Sequence, residues 1–317
     1  MTFRELRDEG RAVLGAAGVP DCDYDAGALL QEAAGLDYGG LFAKLSEEAP
    51  SDTARRYSEM IRERAARRPL QHIVGTAWFM GLPFHVCSDV LCPRQDTETL
   101  AEAALSAARL GLKPKATYEN GASDDNKASH ENEPAYENEA AAGACPRQSS
   151  LLDLCTGSGC LAVSLAVLGE FDKVVATDLS AAALAVARRN AELNGCQIDF
   201  RQGDLFETLT EEERFDIIVC NPPYIPSRDL KGLMPEVRDY EPEIALDGGS
   251  DGLDFYRRLS EGLWRFLAPE GTFFLECGAG QGDDVIGLLE SQGLYEELHV
   301  IYDLAGHDRV VSGRRRA

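Results

Sequence analysis

Leu151-Leu152-Asp153-Leu154-Cys155-Thr156-Gly157-Ser158-Gly159-Cys160 decides the fold. The first four residues read as a short strand, residues 155–159 as a tight glycine-rich turn, and residues 160–168 as an apolar helix. The turn is not G-x-G-x-x-G. Gly157 and Gly159 let a ligand approach the backbone, and the helix behind them offers unpaired N–H groups. Working outward, the alternation repeats. Residues 173–177 form a strand ending at Asp178, residues 181–194 a helix closed by Gly195, and residues 198–200 a strand leading into Gly203-Asp204-Leu205-Phe206. Residues 215–220 are a fourth, fully apolar strand. A helix over 252–266, a strand over 272–276, a helix over 285–292 and a closing antiparallel pair at 298–303 and 309–312 complete the pattern. Such alternation predicts an α/β, Rossmann-like, mostly parallel sheet with helices on both faces.

Asn221-Pro222-Pro223-Tyr224 follows the fourth strand. Neither proline can donate a backbone N–H, so strand pairing ends there. In an open α/β sheet this carboxyl edge is where ligands bind. An amide nitrogen is a poor nucleophile because its lone pair is delocalised. Acceptors on its two hydrogens fix its plane, and the Asn221 side-chain oxygen and the Pro222 carbonyl can each take one. The Tyr224 ring is a suitable wall for a substrate or a cationic centre. The tetrapeptide thus reads as a clamp for a planar amide or amino nitrogen that receives a methyl group; the plainer reading is a strand-ending turn.

For a cofactor, Asp178 suits a ribose diol, with a helix cap as the alternative. Asp153 can help hold an amino group. Phe206 can stack on adenine or simply pack in the core. The pattern alone does not separate a nicotinamide cofactor from S-adenosylmethionine. The missing third glycine weakens the pyrophosphate reading, and S-adenosylmethionine has no pyrophosphate to seat.

At 317 residues the chain has room for about two domains, and its net charge is −23. That charge argues against extended contact with nucleic-acid phosphates. No signal-peptide pattern and no apolar run of membrane-spanning length is present, so a cytoplasmic protein is expected. The nine cysteines are scattered, with no C-x-x-C pair. They read as reduced, mostly buried thiols, with no metal site expected.

Residues 1–70 read as a small helical domain, its last helix capped by Ser51 or Asp52 and carrying Arg55, Arg56, Arg62, Arg64, Arg67 and Arg68. These arginines are either a solvated face or a docking surface for an acidic or RNA-associated partner. Residues 71–96 read as a β-hairpin linker that includes Ile73-Val74-Gly75, and residues 97–112 as a helix into the catalytic domain, capped by Asp96 or Thr97. Arg94 and Glu98 can contact cofactor or substrate, or serve as helix cap and surface ion pair. Residues 113–148, rich in Glu, Asn, Asp, Ala and Ser, read as a disordered acidic insertion. The methyltransferase domain then spans 149–317.

Several runs together resemble the HemK/PrmC family of glutamine methyltransferases. They are Arg67 to Gly75, Val90 to Glu98, Asp153 to Cys160, Asn221 to Tyr224, Tyr240-Glu241-Pro242, Ala245 to Gly249, Asp251-Gly252-Leu253, Glu276, Gly278, Gln281, and Asp303 to Val310. The resemblance implies an S-adenosylmethionine-dependent enzyme that methylates the glutamine of the Gly-Gly-Gln motif in class 1 peptide chain release factors. It implies a helical N-terminal domain that recognises the release factor. It places the cofactor on Cys155, Thr156, Gly157, Ser158, Gly159, Asp178, Phe206 and Asn221. It places the substrate glutamine on Asn221, Pro222, Pro223 and Tyr224, with Asn221, Pro222 and Tyr224 catalytic. Cys155 stands where the family usually has glycine, and His72 where it usually has tyrosine. The tetrapeptide alone is shared with adenine methyltransferases of DNA or RNA, which is the alternative activity.

Overall fold

The computed structural model describes residues 1–110 and 149–316; the segment expected to be a disordered insertion lies outside the described residues. The chain divides into two compact units.

The first unit comprises Met1–Ala77, His85–Cys92 and Asp229–Glu243. Helix α1 (Phe3–Ala16) starts with a capping box, in which the Thr2 hydroxyl accepts from the Glu5 N–H and the Glu5 carboxylate accepts from the Thr2 N–H. Helices α2 (Cys22–Ala34), α3 (Tyr38–Lys44) and α4 (Ser51–Ala65) follow. Their apolar faces bury Leu14, Leu29, Leu30, Tyr57 and Ile61 together. Pro50, not Ser51 or Asp52, is the residue before α4, and it makes no side-chain cap. Ile73 and Val74, expected in a hairpin, instead form the end of a single helical turn, α5 (Leu70–Val74). Gly75 stops it at φ 78°, which costs a residue without Cβ little.

Four of the arginines of α4 and its C-terminal extension are engaged in ion pairs within this unit. Arg64 is buried, and its guanidinium reaches Asp25 at 2.7 Å and Glu236 at 2.9 Å. Arg67 grips both oxygens of the same Glu236 at 2.7 Å. Arg56 pairs with Glu32 and Arg68 with Glu63. Burial raises the Asp25 pKa against the pull of Arg64, whereas Arg67 and Arg64 outweigh burial at Glu236 and hold its carboxyl low. These contacts explain why Asp229–Glu243, far along the chain, belongs to this unit.

The hairpin consists of β1 (Thr76–Phe79) and β2 (Leu82–His85). Met80 and Gly81 turn it with φ of 50° and 75°, the left-handed pair that matches strand twist. Within the second unit, helix α6 (Gln95–Leu110) is followed by β3 (Ser150–Leu154), α7 (Cys160–Leu168), β4 (Lys173–Asp178), α8 (Ala181–Leu193), β5 (Asp199–Gln202) and β6 (Phe215–Cys220). The chain runs through α9 (Pro235–Arg238) of the first unit and returns as α10 (Asp254–Phe266), β7 (Leu267–Glu276), α11 (Gly282–Gln292), β8 (Tyr295–Tyr302) and β9 (Asp308–Arg315).

The seven strands lie in the order β5-β4-β3-β6-β7-β9-β8. The first five are parallel, and β9 runs antiparallel to both β7 and β8. Successive strand residues face opposite sides. Ile217, Val219 and Phe274 accordingly join the buried cluster with Leu100, Leu165 and Leu184 of α6, α7 and α8. Ile218, Phe273 and Leu275 join the cluster with Leu259, Leu263 and Val285 of α10 and α11. This is the expected α/β architecture. The sheet order reverses direction between β3 and β6, so the loops after these two strands open a crevice at the carboxyl edge.

All eight described cysteines are free thiols, but only Cys92, Cys220 and Cys277 are buried; the others are partly exposed, against the expectation of mostly buried thiols. No helix among the described residues is long and apolar enough to cross a membrane.

Candidate active site

The turn after β3 and the loop after β6 lie beside one another because Leu154 and Cys220 are register partners. Each contributes one half of the site.

The turn is tied from both sides. Asp153, fully buried, accepts from the Thr156 hydroxyl at 2.6 Å and the Ala162 N–H at 3.1 Å through Oδ2. Burial pushes its carboxyl up to about 7, against the pull of those two donors. Asp178, at the end of β4, accepts the Gly157 N–H at 2.8 Å and the Ser180 N–H at 2.8 Å. Ser180, not Asp178, is the side-chain cap of α8. Burial raises Asp178 as well. Gly157 has φ 54° and open space where a Cβ would stand. Cys155 occupies a left-handed backbone position, φ 58°, which accounts for the glycine preference there. Its side chain packs with the apolar residues under the sheet and meets the Cys220 thiol, whose pKa rises through burial first and this neighbour second.

These residues fit S-adenosylmethionine. Asp153 Oδ1 is a buried acceptor with no partner among the described residues, which suits an ammonium group. Asp178 supplies a carboxylate for a diol, and the open space over Gly157 admits a ligand. Phe206 stands apart from this set. Its ring stacks on Phe266 with centroids 5.2 Å apart, and it lies over Gly262 of α10. One ring face is thus taken by the core, in line with the packing alternative.

In the second half, Pro222 and Pro223 are buried while Asn221 and Tyr224 are partly exposed. Asn221 Nδ2 donates to Thr97 Oγ1 at 3.3 Å, which leaves Oδ1 to accept a hydrogen bond from a ligand. The Tyr224 hydroxyl donates to Glu276 Oε1 at 3.4 Å, and burial, then the Glu276 charge, raise its pKa. The Tyr224 backbone is held independently. Gln281 Nε2 donates to its carbonyl at 3.1 Å while Gln281 Oε1 accepts the Gly278 N–H. Ile225 exchanges backbone hydrogen bonds with Leu246 and Gly248. A Cβ on Gly248 would lie 2.7 Å from the Tyr224 Cα, so this approach requires glycine.

Sequence reasoning missed three of these partners. In sequence Thr97 or Asp96 caps this helix, but α6 begins at Gln95 and the Thr97 side chain joins Asn221. Glu276 and Gln281 carry no assigned role in the sequence reading. The signal for Glu276 was a carboxylate at the carboxyl end of a core strand. Glu98 does not join the site, because its Oε1 accepts the Met80 N–H at 2.6 Å and pins the hairpin turn. In the first unit His72, Cys92 and Glu241 bring buried ligand-type atoms within 4.8 Å of one another, although sequence spacing had given no metal pattern. Glu241 Oε1 is already engaged there by the Cys92 N–H at 3.2 Å.

Comparison with known proteins identifies the family. Residues 5–75 match the PrmC N-terminal domain and residues 142–233 the methyltransferase small domain. The release factor glutamine methyltransferase of Geobacter sulfurreducens is 38% identical over 313 residues, covering 99% of this chain and 96% of that one. Those of Cereibacter sphaeroides and Moorella thermoacetica are 39% and 38% identical, covering 95% and 100% of this chain and 94% and 99% of theirs. The chain belongs to the release factor glutamine methyltransferase family.

Proposed function

We propose that this protein methylates the side-chain amide nitrogen of the glutamine in the Gly-Gly-Gln motif of class 1 peptide chain release factors. The observation that carries the reading is the Asn221 side chain. Its nitrogen donates to Thr97 Oγ1 at 3.3 Å, which leaves its oxygen to accept from a substrate, and the pairing of β3 with β6 sets Asn221 beside the glycine turn.

S-adenosylmethionine supplies the electrophilic methyl group on a sulfonium. Asp153 and Asp178 hold its amine and ribose, and Thr156 to Gly159 shape the cradle. Asn221 Oδ1 and the Pro222 carbonyl accept the two amide hydrogens, fix the amide plane and aim the nitrogen lone pair. Positioning of this kind lowers a barrier by several kcal/mol. As positive charge builds on the nitrogen, the same two oxygens stabilise it. Tyr224, with its backbone held by Gln281, walls the substrate. The amide proton leaves toward solvent after transfer. The first unit, matching the PrmC N-terminal domain, recognises the release factor, and the reaction takes place in the cytoplasm. The net charge of −23 disfavours extended contact with nucleic-acid phosphates.

Incubation with methyl-labelled S-adenosylmethionine and three substrates tests the reading: a release factor, its Gly-Gly-Ala variant, and duplex DNA. Label is expected on the release factor alone. Label on DNA, or equal label on the Gly-Gly-Ala variant, overturns it.

A further inference from the structure

The polar groups of the clamp converge on a side chain for which the reaction above has no use. Glu276, the last residue of β7, is 1% exposed. Its Oε1 takes the Tyr224 hydroxyl at 3.4 Å, and its Oε2 is buried with no hydrogen-bond partner among the described residues. The Thr97 hydroxyl, 2% exposed, lies close enough to stabilise the carboxylate charge. Thr97 Oγ1 is also the acceptor for Asn221 Nδ2 at 3.3 Å. A hydroxyl has one hydrogen to give. Because Thr97 accepts from Asn221, that hydrogen is available to Glu276. Asn221 N–H, Thr97 O–H and the Glu276 carboxylate then form a row with one polarity, closed from the other side by Tyr224 O–H.

We infer that Glu276 and Thr97 are positioning residues for methyl transfer, setting the hydrogen-bond polarity that turns Asn221 Oδ1 toward the substrate amide. The inference rests on the reading that Asn221 Oδ1 accepts from the glutamine. An ionised Glu276 can only accept, so Thr97 must point its hydrogen at it and leave its lone pairs to Asn221 Nδ2. A protonated Glu276 donates. Thr97 is then released to donate to Asn221, the amide reverses, and an N–H faces the substrate where an acceptor is needed.

The surroundings place this change in the neutral range. Burial pushes the Glu276 carboxyl up to about 7. Thr97 of α6, Arg309 of β9 and Tyr224 pull it down, and Asp96 of α6 raises it. Arg309 is shared, reaching Asp303 at 2.9 Å and Asp96 at 3.2 Å. The aligned row is present above the Glu276 pKa and lost as pH falls through it.

The test uses the full chain, Glu276→Gln, Thr97→Ser and Thr97→Val, with two readouts. The first is kcat and KM for release-factor methylation across about pH 6 to 9. The wild type is expected to lose roughly tenfold in kcat per pH unit below the Glu276 pKa. Glu276→Gln loses about 10- to 100-fold in kcat at high pH, keeps the KM for the methyl donor, and has no acid limb. Thr97→Ser retains activity and Thr97→Val falls with Glu276→Gln. The second readout needs no substrate: the side-chain amide resonances of Asn221 in asparagine-labelled protein titrate near neutral pH in the wild type and not in Glu276→Gln. Wild-type kcat and pH profile in Glu276→Gln, or Asn221 resonances that titrate identically in both proteins, overturn the inference. If the wild type methylates no glutamine, the functional reading fails, and the resonances still decide whether Glu276 sets the Asn221 amide.

Discussion

Leu154 of β3 and Cys220 of β6 are register partners in the parallel sheet, so Cys155 and Asn221 leave it side by side. Strand order reverses at this pair, so the glycine turn and the Asn-Pro-Pro-Tyr loop, built by distant segments, meet at the carboxyl edge of the sheet.

The clamp assignment predicts a split between turnover and cofactor affinity. Asn221→Ala removes an acceptor used only for the reacting amide, so kcat should fall by about 10²- to 10³-fold. The dissociation constant for S-adenosylmethionine, measured by calorimetry, should change by only a few fold. An equal loss of both would place Asn221 with the cofactor instead.

Asp153 predicts a pH dependence of cofactor binding. Its carboxyl is pushed up to about 7, so the free protein holds it protonated in mild acid, where it cannot attract an ammonium. Affinity should therefore rise as pH increases from about 5.5 to 7.5. Asp153→Asn should bind roughly 10- to 100-fold more weakly, in line with a lost charged hydrogen bond, and its affinity should be flat over the same range. Calorimetric titration at several pH values checks both.

Glu276 predicts a stability penalty that follows pH. Its folded-state pKa is raised from 4.5 to about 7, so the folded state binds the proton more tightly than the unfolded chain. Stability is lost as pH rises between those two values, on the order of 3 kcal/mol. Glu276→Gln removes that penalty. The variant should melt higher than the wild type above pH 7, and the gap should shrink toward pH 5.5. A gap independent of pH would contradict the burial argument. Loss of activity with gain of stability is the usual signature of a strained functional group.

The ion network of the first unit predicts an uneven response among its arginines. Arg64→Ala leaves Asp25 buried and unpaired and should cost about 3–5 kcal/mol by chemical denaturation. Arg55→Ala, on an exposed side chain, should stay within about 0.5 kcal/mol.

The contrast between these arginines also marks the reach of sequence reasoning. Period-2 and period-3.6 patterning exposed nearly every strand and helix of the second unit, because each buries a continuous apolar face. The glycine turn and the prolyl loop that ends β6 were legible because their backbone demands restrict residue type. What was not legible depended on partners distant in sequence. Arg64 and Arg67 read as surface charge until Glu236 was seen to reach them. Thr97 read as a helix cap because its partner, Asn221, is 124 residues away. Phe206 left two readings open, adenine stacking or core packing, because nothing in its local run announces Phe266. Ile73 and Val74 read as strand because two β-branched residues outweigh a single helical turn in any local score.

The most direct test is a crystal structure of the protein with S-adenosylhomocysteine and a peptide carrying Gly-Gly-Gln. The expected result places the glutamine amide nitrogen about 2.8–3.2 Å from both Asn221 Oδ1 and the Pro222 carbonyl, with the cofactor sulfur facing it across the glycine turn. A glutamine seated elsewhere, or an Asn221 side chain turned back into the protein and away from the sulfur, would contradict the account.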